Sequence, residues 1–336
     1  MGAASLLGKE LSEALGESAL AASDVVLLDA EDVAGRLSSL GEEANFIQRL
    51  DAEAISGLDI VFFAGDAEMT RQYFNAAHEA TASVVDLTYA LEKDPNAIVR
   101  GLWGGLAPRT RQPDLTTPAV VSAHPAALML ALLMRRVNAR LAIRTVAATF
   151  FEPASEHGQP AMDELHQQTV SLLSFQSLPR DQYDAQIAFN MLPSVGEAGK
   201  LKLSTIGTRI LEHYRAIAGD EAATNVAVQV LQAPVFHGYT ATLFLELEHA
   251  ATVREVEAAV QGDRVDLVSG ESEPPSNVTA ARQADMLMQV RSASPEGGTS
   301  TRFWIWVAGD NLKIAAANAI ACADELKRMR PHGSVQ

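Results

Sequence analysis

The sequence predicts a two-domain α/β protein, in which a parallel sheet with helices on both faces precedes a mixed sheet with covering helices. Three observations lead to this prediction. The chain has 336 residues, which suits two domains better than one. Short apolar runs alternate with helical patterns in the first part of the chain. From about residue 140 the strands are longer, and several alternate in polarity, as in a sheet with one covered face.

The first domain, predicted over residues 1–124, consists of short buried strands separated by helices. The predicted strands are 24–30, 59–65, 83–88 and 118–123, and the helices around them include 8–18 and 68–80. The last strand leads into a helix predicted over 126–137, which opens the second domain. The sequence opens on a turn followed by a helix, so the first strand of such a sheet is apparently missing. We expect either that the true start lies upstream of Met1 or that the sheet is truncated.

The second domain, predicted over residues 125–308, combines long strands with helices. The predicted strands are 140–153, 225–236, 239–248 and 301–309, and the predicted helices are 160–174, 200–218 and 252–260. Residues 269–283 are polar and contain paired prolines, which predicts a loop. A last helix, in the segment 309–330, is expected to pack on the first domain.

Composition limits the classes of partner. The chain has 26 Lys and Arg and 42 Asp and Glu, a net charge of −16, which disfavours binding to nucleic acid or to an anionic membrane surface. No apolar stretch approaches the roughly 20 residues that span a bilayer. The single cysteine, Cys322, lies in an apolar helical run, which predicts a buried thiol and a reducing compartment. We therefore expect a cytoplasmic protein.

The first residues have the spacing of a dinucleotide-binding loop. Gly2, Ser5 and Gly8 match G-x-x-G-x-x-G with serine at the middle position. Small residues there let the N–H groups at the start of the helix, including those of Leu6 and Leu7, approach a phosphate. The serine hydroxyl is expected to bond phosphate, although its Cβ narrows the approach.

Several segments resemble, in order, the aspartate-semialdehyde dehydrogenase family over nearly the whole chain. They are "GAASLLGKEL", "DIVFFAGDAEMTRQYFNAAHEATASVVDLT", "AMDELHQQT", "QIAFNMLP", "APVFHGYTATLFLELE" and "WVAGDNLKIAAANAI". The resemblance implies a Rossmann-type domain followed by an α+β catalytic and dimerisation domain, and hence a homodimer. It also implies NADP-dependent chemistry in which a cysteine thiolate attacks an aldehyde and phosphate releases the acyl group.

The resemblance also assigns residues to sites. The cofactor-binding positions are Gly2, Ser5, Leu6, Leu7, Gly8, Gly65 and Asn311, the last facing the nicotinamide. The family's cysteine falls at Ala126. Five other positions depart from the family pattern: Glu152 replaces a glutamine, Gln232 a substrate arginine, Tyr239 a histidine, Ile206 a substrate glutamate and Glu92 a phosphate-binding arginine. These changes predict that the parent reaction is absent.

Few side chains are available to replace the cysteine. Ser122 and His124 lie in the turn "VVSAHPAALML", and His237 lies in "FHGY". A Ser/His pair needs an orienting group and an oxyanion hole, and a histidine before proline is more often a turn residue than a base. Trp304 and Trp306 alternate in a strand and are expected in a core or a dimer interface. No cluster has metal-ligand spacing.

Three functional hypotheses remain open. The first is a catalytically degenerate homologue that keeps the fold, the dimer and weak binding of NADP or NAD. The second is an active oxidoreductase that acts on another carbonyl compound by direct hydride transfer. The third is a structural partner of an active paralogue. Binding of NADP separates them, because only the second hypothesis requires it.

Overall fold

The computed structural model describes residues 1–41, 43–106, 112–219, 225–268, 273–294 and 298–330. They form two compact units: Met1–Ala123 with Ala315–Gln336, and His124–Ile314. We call these the first and second units. The second boundary lies inside the last helix, whereas the sequence analysis placed it before that helix. The reason is Asn311 in the first turn of the helix, which hydrogen-bonds to residues of the second unit.

The first unit contains the predicted parallel sheet. Its helices are α1 (Leu6–Gly16), α2 (Ala52–Ile55) and α3 (Ala67–Glu79), and its strands are β1 (Leu28–Asp29), β2 (Leu37–Leu40), β3 (Glu43–Phe46), β4 (Gln48–Arg49), β5 (Ile60–Phe63), β6 (Ser83–Asp86), β7 (Ile98–Arg100) and β8 (Val120–Ser122). The four-stranded sheet has the order β5-β6-β8-β7 and every pairing is parallel. Two short pairs, β1 with β4 and β2 with β3, stand apart from it.

Both faces of this sheet are covered, which explains its unbroken apolar runs. Val85 and Val120 point to the face that packs against α1 and the C-terminal helix, where Cys322 is also buried. Their neighbours Val84 and Val121 point to the other face and pack against α2 and α3. The predicted parallel sheet with helices on both faces is confirmed.

The strand predicted over residues 24–30 is wrong in extent, because only Leu28 and Asp29 pair. A cavity of about 810 Å³, lined by residues 24–28 and 57–62 among others, lies where a strand could pair with both segments. Met1 and Gly2 bridge the two sides at its end. The Met1 amine donates to Phe62 O at 2.8 Å, and Gly2 N donates to Leu28 O at 2.9 Å.

The second unit contains a six-stranded mixed sheet. Its helices are α4 (Pro125–Asn138), α5 (Gln159–Leu173), α6 (Leu203–Ala218), α7 (Val253–Val260) and α8 (Asn277–Ala280), its strands are β9 (Ile143–Glu152), β10 (Val226–Gln232), β11 (Tyr239–Ala251), β12 (Val265–Leu267), β13 (Met286–Ser292) and β14 (Ser300–Gly309), and α9 (Asn311–Met329) begins in it. The order is β10-β9-β11-β14-β13-β12, with parallel pairs at both edges and antiparallel pairs between. The predicted mixed sheet is confirmed.

The two faces of this sheet differ. Phe150, Leu243 and Ile305 are buried on the inner face, which α4, α6 and α7 cover. Their neighbours form what we call the outer aromatic face: Phe151, Phe244, Trp304 and Trp306. Two ring pairs cross its strands, with centroids 5.1 Å and 5.8 Å apart. Trp304 is 46% exposed, so it does not belong to the core of the unit.

The loop predicted over 269–283 contains a short helix, α8, whose first turn is capped by the Ser276 hydroxyl. Residues 269–272 lie outside the described part. Within the described ranges, none of the helices combines the length and the hydropathy needed to cross a membrane.

Candidate functional site

The glycine loop of the first unit is packed too tightly for side chains. A Cβ on Gly2, which has φ +79°, would lie 2.2 Å from Gly65 N, and a Cβ on Gly8 would lie 2.0 Å from Gly2 O. Both contacts are with backbone atoms, which cannot give way cheaply. The structure therefore brings Gly2, Gly8 and Gly65 together, as the sequence analysis expected, and the glycines serve the close approach of the loop to the end of β5.

The Ser5 hydroxyl has protein partners in the structure, and its expected bond to a phosphate stays a prediction. Ser5 is the N-cap of α1: its Oγ accepts a hydrogen bond from Gly8 N at 2.8 Å and donates to Ala64 O at 2.7 Å. A hydroxyl has one proton to donate, and phosphate oxygens at neutral pH mainly accept hydrogen bonds. The donor capacity of Ser5 is therefore already used.

The N–H groups of Leu6 and Leu7 remain available at the start of α1. Gly8 N is satisfied by Ser5, and Lys9 N donates to Ser5 O. Within the described ranges, the hydrogen bonds of this turn involve neither Leu6 N nor Leu7 N. Two free donors at the positive end of a helix dipole suit a phosphate group. These residues therefore fit the nicotinamide nucleotide that the sequence implies.

The position expected for a nucleophile holds no reactive group. Ala126 is fully buried in the first turn of α4. The only cysteine of the sequence, Cys322, is buried among apolar side chains of the first unit, and this burial raises the pKa of its thiol well above the ordinary value. A thiol that stays protonated at neutral pH is not a nucleophile.

The second unit contains a buried polar cluster around the start of α4. We define this cluster as His124, Glu152, Glu156, His157, Tyr239 and Asn311. His124 is the N-cap of α4, and its Nδ1 accepts from Ala126 N at 3.3 Å. Its Nε2 lies 3.3 Å from Oε1 of Glu156. An accepting Nδ1 assigns the proton to Nε2, so a neutral His124 donates toward Glu156.

Burial controls protonation in this cluster. Desolvation, followed by the charge of Glu152, raises the pKa of Glu156 from 4.5 to about 7. Burial, followed by the neighbouring His213, lowers the pKa of His124 well below 6.5. His124 is therefore neutral at pH 7, while Glu156 exchanges its proton close to that pH.

Asn311 joins the cluster to two turns of the second unit. Its Oδ1 accepts from Ser155 Oγ and from Gly238 N, both at 3.1 Å, and its Nδ2 donates to Glu156 Oε2 at 3.0 Å. The side chain is fully buried. Asn311 thus orients Glu156, and its expected role toward a nicotinamide remains a prediction.

Glu152 lies at the end of β9 and is fully buried. Its Oε2 accepts from the Tyr239 hydroxyl at 2.7 Å, and its Oε1 lies 3.2 Å from Nε2 of His157 without hydrogen-bond geometry. Gln232 donates both of its amide protons to main-chain oxygens, those of Glu152 and Ala233. Buried polar atoms without a hydrogen bond cost about 1–3 kcal/mol each, so such atoms are typical of sites kept for function.

The other candidate residues lie apart from this cluster or have other partners. Ser122 belongs to the first unit, where its Oγ accepts from Asn318 Nδ2 at 2.8 Å. Ile206 is buried in α6. His237 and Glu92 are half-buried, in the second and first units respectively.

Sequence reasoning missed Glu156, His157, Arg209 and His213. The first two lie in a 3₁₀ turn, Ala154–His157, directly after β9, where local spacing gives no sign of their partners. Arg209 and His213 are four residues apart on α6, as is usual for one helix face. His213 Nδ1 accepts from His124 N at 3.0 Å, and the charge of Arg209 lowers the pKa of Glu156. Their helical spacing was the available signal.

Family models match both units in order. A semialdehyde dehydrogenase NAD binding domain matches residues 1–128, and a semialdehyde dehydrogenase dimerisation domain matches residues 134–314. The first match confirms that the N-terminal part is a nicotinamide-nucleotide domain. The second match covers more than half of the chain.

Curated proteins and solved structures match over nearly the full length. An aspartate-semialdehyde dehydrogenase of Rickettsia bellii is 25% identical over 335 residues, covering 97% of this chain and 96% of that protein. A USG-1 protein homolog of Pseudomonas aeruginosa is 28% identical over 331 residues, with the same coverage. The structure of a probable aspartate-semialdehyde dehydrogenase from Pseudomonas aeruginosa matches with a TM-score of 0.80 and 26% identity, covering 96% of each chain.

Proposed function

The chain belongs to the semialdehyde dehydrogenase family, and from that membership we propose that it is a member without the cysteine-dependent reaction, which keeps the fold, dimerisation and nicotinamide-nucleotide binding. One observation carries this proposal: the chain has a single thiol, and that thiol is buried in the core of the first unit with a raised pKa. Losing the nucleophile of a covalent mechanism costs on the order of 10⁶-fold in rate.

The charges around the cluster support the same proposal. Glu152 and Glu156 bring two carboxyl groups to the region where the family has an amide, and burial together with the charge of Glu152 raises the pKa of Glu156. A substrate carboxylate or a phosphate ion would be repelled there. Glu92, at the position of a phosphate-binding arginine, has the same sign.

Nucleotide binding is the part of the family's function that the chain is best equipped to keep. The free N–H groups of Leu6 and Leu7 and the close packing of Gly2 against Gly65 support it. When bound, the nucleotide supplies or accepts a hydride. Asp66 and Glu68 bring negative charge to the end of β5, so we expect a dissociation constant weaker than about 10 μM.

A second candidate function is direct hydride transfer to another carbonyl compound. The observation that favours it is the contact of His124 with Glu156, a carboxyl group with a pKa of about 7. Such a group can give a proton to an alkoxide and recover it at neutral pH. This candidate needs no nucleophile.

The experiment that tests the proposal is an assay of the purified protein with aspartate semialdehyde and phosphate, run once with NADP and once with NAD. We expect no phosphate-dependent formation of NADPH or NADH above background. The Ala126→Cys variant should also stay inactive, because Glu152 and Gln232 still differ from the family pattern. A robust rate that His124→Ala abolishes would contradict the proposal. Oxidation of NADH with a panel of carbonyl compounds, lost in Glu156→Gln, would instead establish the second candidate.

Assembly and location complete the proposal. The dimerisation-domain match and the outer aromatic face support a homodimer. An active paralogue as a further partner and a cytoplasmic location stay proposals, and the latter is supported by the single cysteine of the sequence.

A further inference from the structure

The end of β1 places a carboxylate against the glycine loop of the first unit. Asp29 is the last residue of β1 and only 7% exposed. Its Oδ2 accepts from Ala4 N at 2.7 Å, and its Oδ1 accepts from Ala30 N at 2.8 Å. A carboxylate has about four lone-pair sites, so two acceptor sites remain after these bonds.

The number of residues between the glycine loop and Asp29 matches the spacing of an acidic residue that contacts the ribose in dinucleotide-binding folds. Asp29 follows Gly8 by 29 − 8 = 21 residues and ends the strand that comes after the loop's helix. In dinucleotide-binding folds, an acidic residue about 20 residues past the glycine loop bonds the ribose 2′-hydroxyl. Folds that accept a 2′-phosphate instead offer an arginine nearby.

The charges next to Asp29 are also unfavourable to a phosphate. Glu31 and Asp32 lie two and three residues after it, and both are exposed. The guanidinium of Arg49 lies 3.2 Å from the Glu31 carboxylate, so the positive charge of Arg49 is paired with Glu31. Arg36 is the counter-candidate: its Nη2 donates to Asp32 O, so it lies close to this segment.

We infer that this chain binds NAD in preference to NADP, because the carboxylate of Asp29 bonds the 2′-hydroxyl of the adenosine ribose and repels a 2′-phosphate. The inference rests on the nucleotide binding that is proposed above. It makes Asp29 the specificity-determining residue of the site. Asp32 adds repulsion from the exposed side.

The test is a calorimetric titration of the intact chain with NADH and with NADPH at the same ionic strength. We expect NADH to bind at least about tenfold more tightly. Equal affinities, or tighter binding of NADPH, would overturn the inference while leaving the proposed nucleotide binding intact. Binding of neither nucleotide would overturn both.

Variants identify the residues that determine the preference for NADH over NADPH. Asp29→Asn should bring the two affinities to within about threefold, and the melting curve of this variant shows whether the loop that Ala4 anchors is still folded.

Asp32 is exposed, so its replacement should not disturb folding. Asp32→Arg should strengthen NADPH binding about tenfold while changing NADH binding less than about twofold. Glu79→Arg, an equal charge change at an exposed end of α3, is the matched control and should leave the ratio unchanged. Loss of NADPH binding in Arg36→Ala, from a wild type that prefers NADPH, would assign the site to NADP instead.

Discussion

Glu156 keeps its proton at a pH where an exposed glutamate has lost it. Its side chain is 10% exposed, and its pKa is raised from 4.5 to about 7 by burial and by Glu152. Between these pH values the folded state binds more protons than the unfolded state. Its contribution to stability is therefore present below pH 4.5 and is lost as the pH rises to about 7.

Replacing Glu156 with glutamine should remove this dependence. Between pH 4.5 and 8 the free energy of unfolding of the wild type should fall by on the order of 3 kcal/mol relative to Glu156→Gln. Denaturant unfolding at several pH values measures the difference. Glu248→Gln, at an exposed position of β11, is the control and should run parallel to the wild type. A parallel curve for Glu156→Gln as well would show that the carboxyl group is ionised throughout.

Two glycines should respond oppositely to the same added methyl group. Gly8→Ala places a Cβ 2.0 Å from Gly2 O, so we expect it to lower the free energy of unfolding by more than about 2 kcal/mol. Gly207 lies inside α6, where the nearest atom to an added Cβ is a Val230 methyl at 3.7 Å. Gly207→Ala should raise the free energy by about 0.5–1 kcal/mol, since alanine favours helix. Thermal unfolding of both variants checks the signs.

Single positions differ in how far the sequence reveals them. Gly2 and Gly8 follow from spacing alone, because a tight loop before a helix has a fixed pattern. Ser5 was found, but its bond to Ala64 depends on a strand about sixty residues away in sequence. Glu156 and His157 follow a strand and belong to no repeat or motif. The candidate role of this turn becomes visible only from the tertiary contacts of Glu156 with His124 and Asn311.

Among the elements, helices and long strands were predictable because their periodicity is local. The strand over residues 24–30 was not, since a strand extends only as far as it has neighbours to bond. Leu28 and Asp29 pair with β4, whereas the residues before them line the cavity beside β5. Apolar composition alone therefore overestimated β1.

An added strand should fill this cavity. We expect five consecutive apolar residues placed before Met1 to pair with β5 and with residues 24–27, and to raise the melting temperature by about 5 °C or more. The addition also turns the buried Met1 amine into an amide, which needs no charge. Nucleotide binding should tighten, because the glycine loop is then anchored on both sides. A Gly/Ser extension of equal length is the control, and equal melting temperatures would refute the idea.

For the whole molecule, the fold class followed from the sequence, but the assembly needs side chains that only the sheet brings together. Trp304 and Phe244 are far apart in sequence and adjacent across β11 and β14. We expect Trp304→Glu to convert a homodimer to a monomer, because a carboxylate in a paired aromatic surface is desolvated without a partner. Light scattering over a concentration series measures the mass.

Leu173→Glu is the matched control for this prediction. Leu173 is 70% exposed at the end of α5, in the same unit but outside the sheet. It should leave the mass unchanged. A dimer that survives Trp304→Glu and dissociates in Leu173→Glu would move the interface to the α5 side.

Because Cys322 is buried, its reaction with a thiol reagent can report local unfolding of the protein. A thiol-labelling reagent reaches this sulfur only when the first unit opens, and the sequence contains no other thiol to obscure the signal. In excess reagent, the labelling rate measures how often the segment that carries α9 unfolds locally. It includes partial unfolding events that a melting curve does not resolve. A nucleotide held only by the closed form should slow labelling by a factor of one plus its concentration over its dissociation constant. Labelling rates measured in the presence of NADH and then of NADPH would thus rank the affinities of the two dinucleotides without thermal unfolding and without an activity assay.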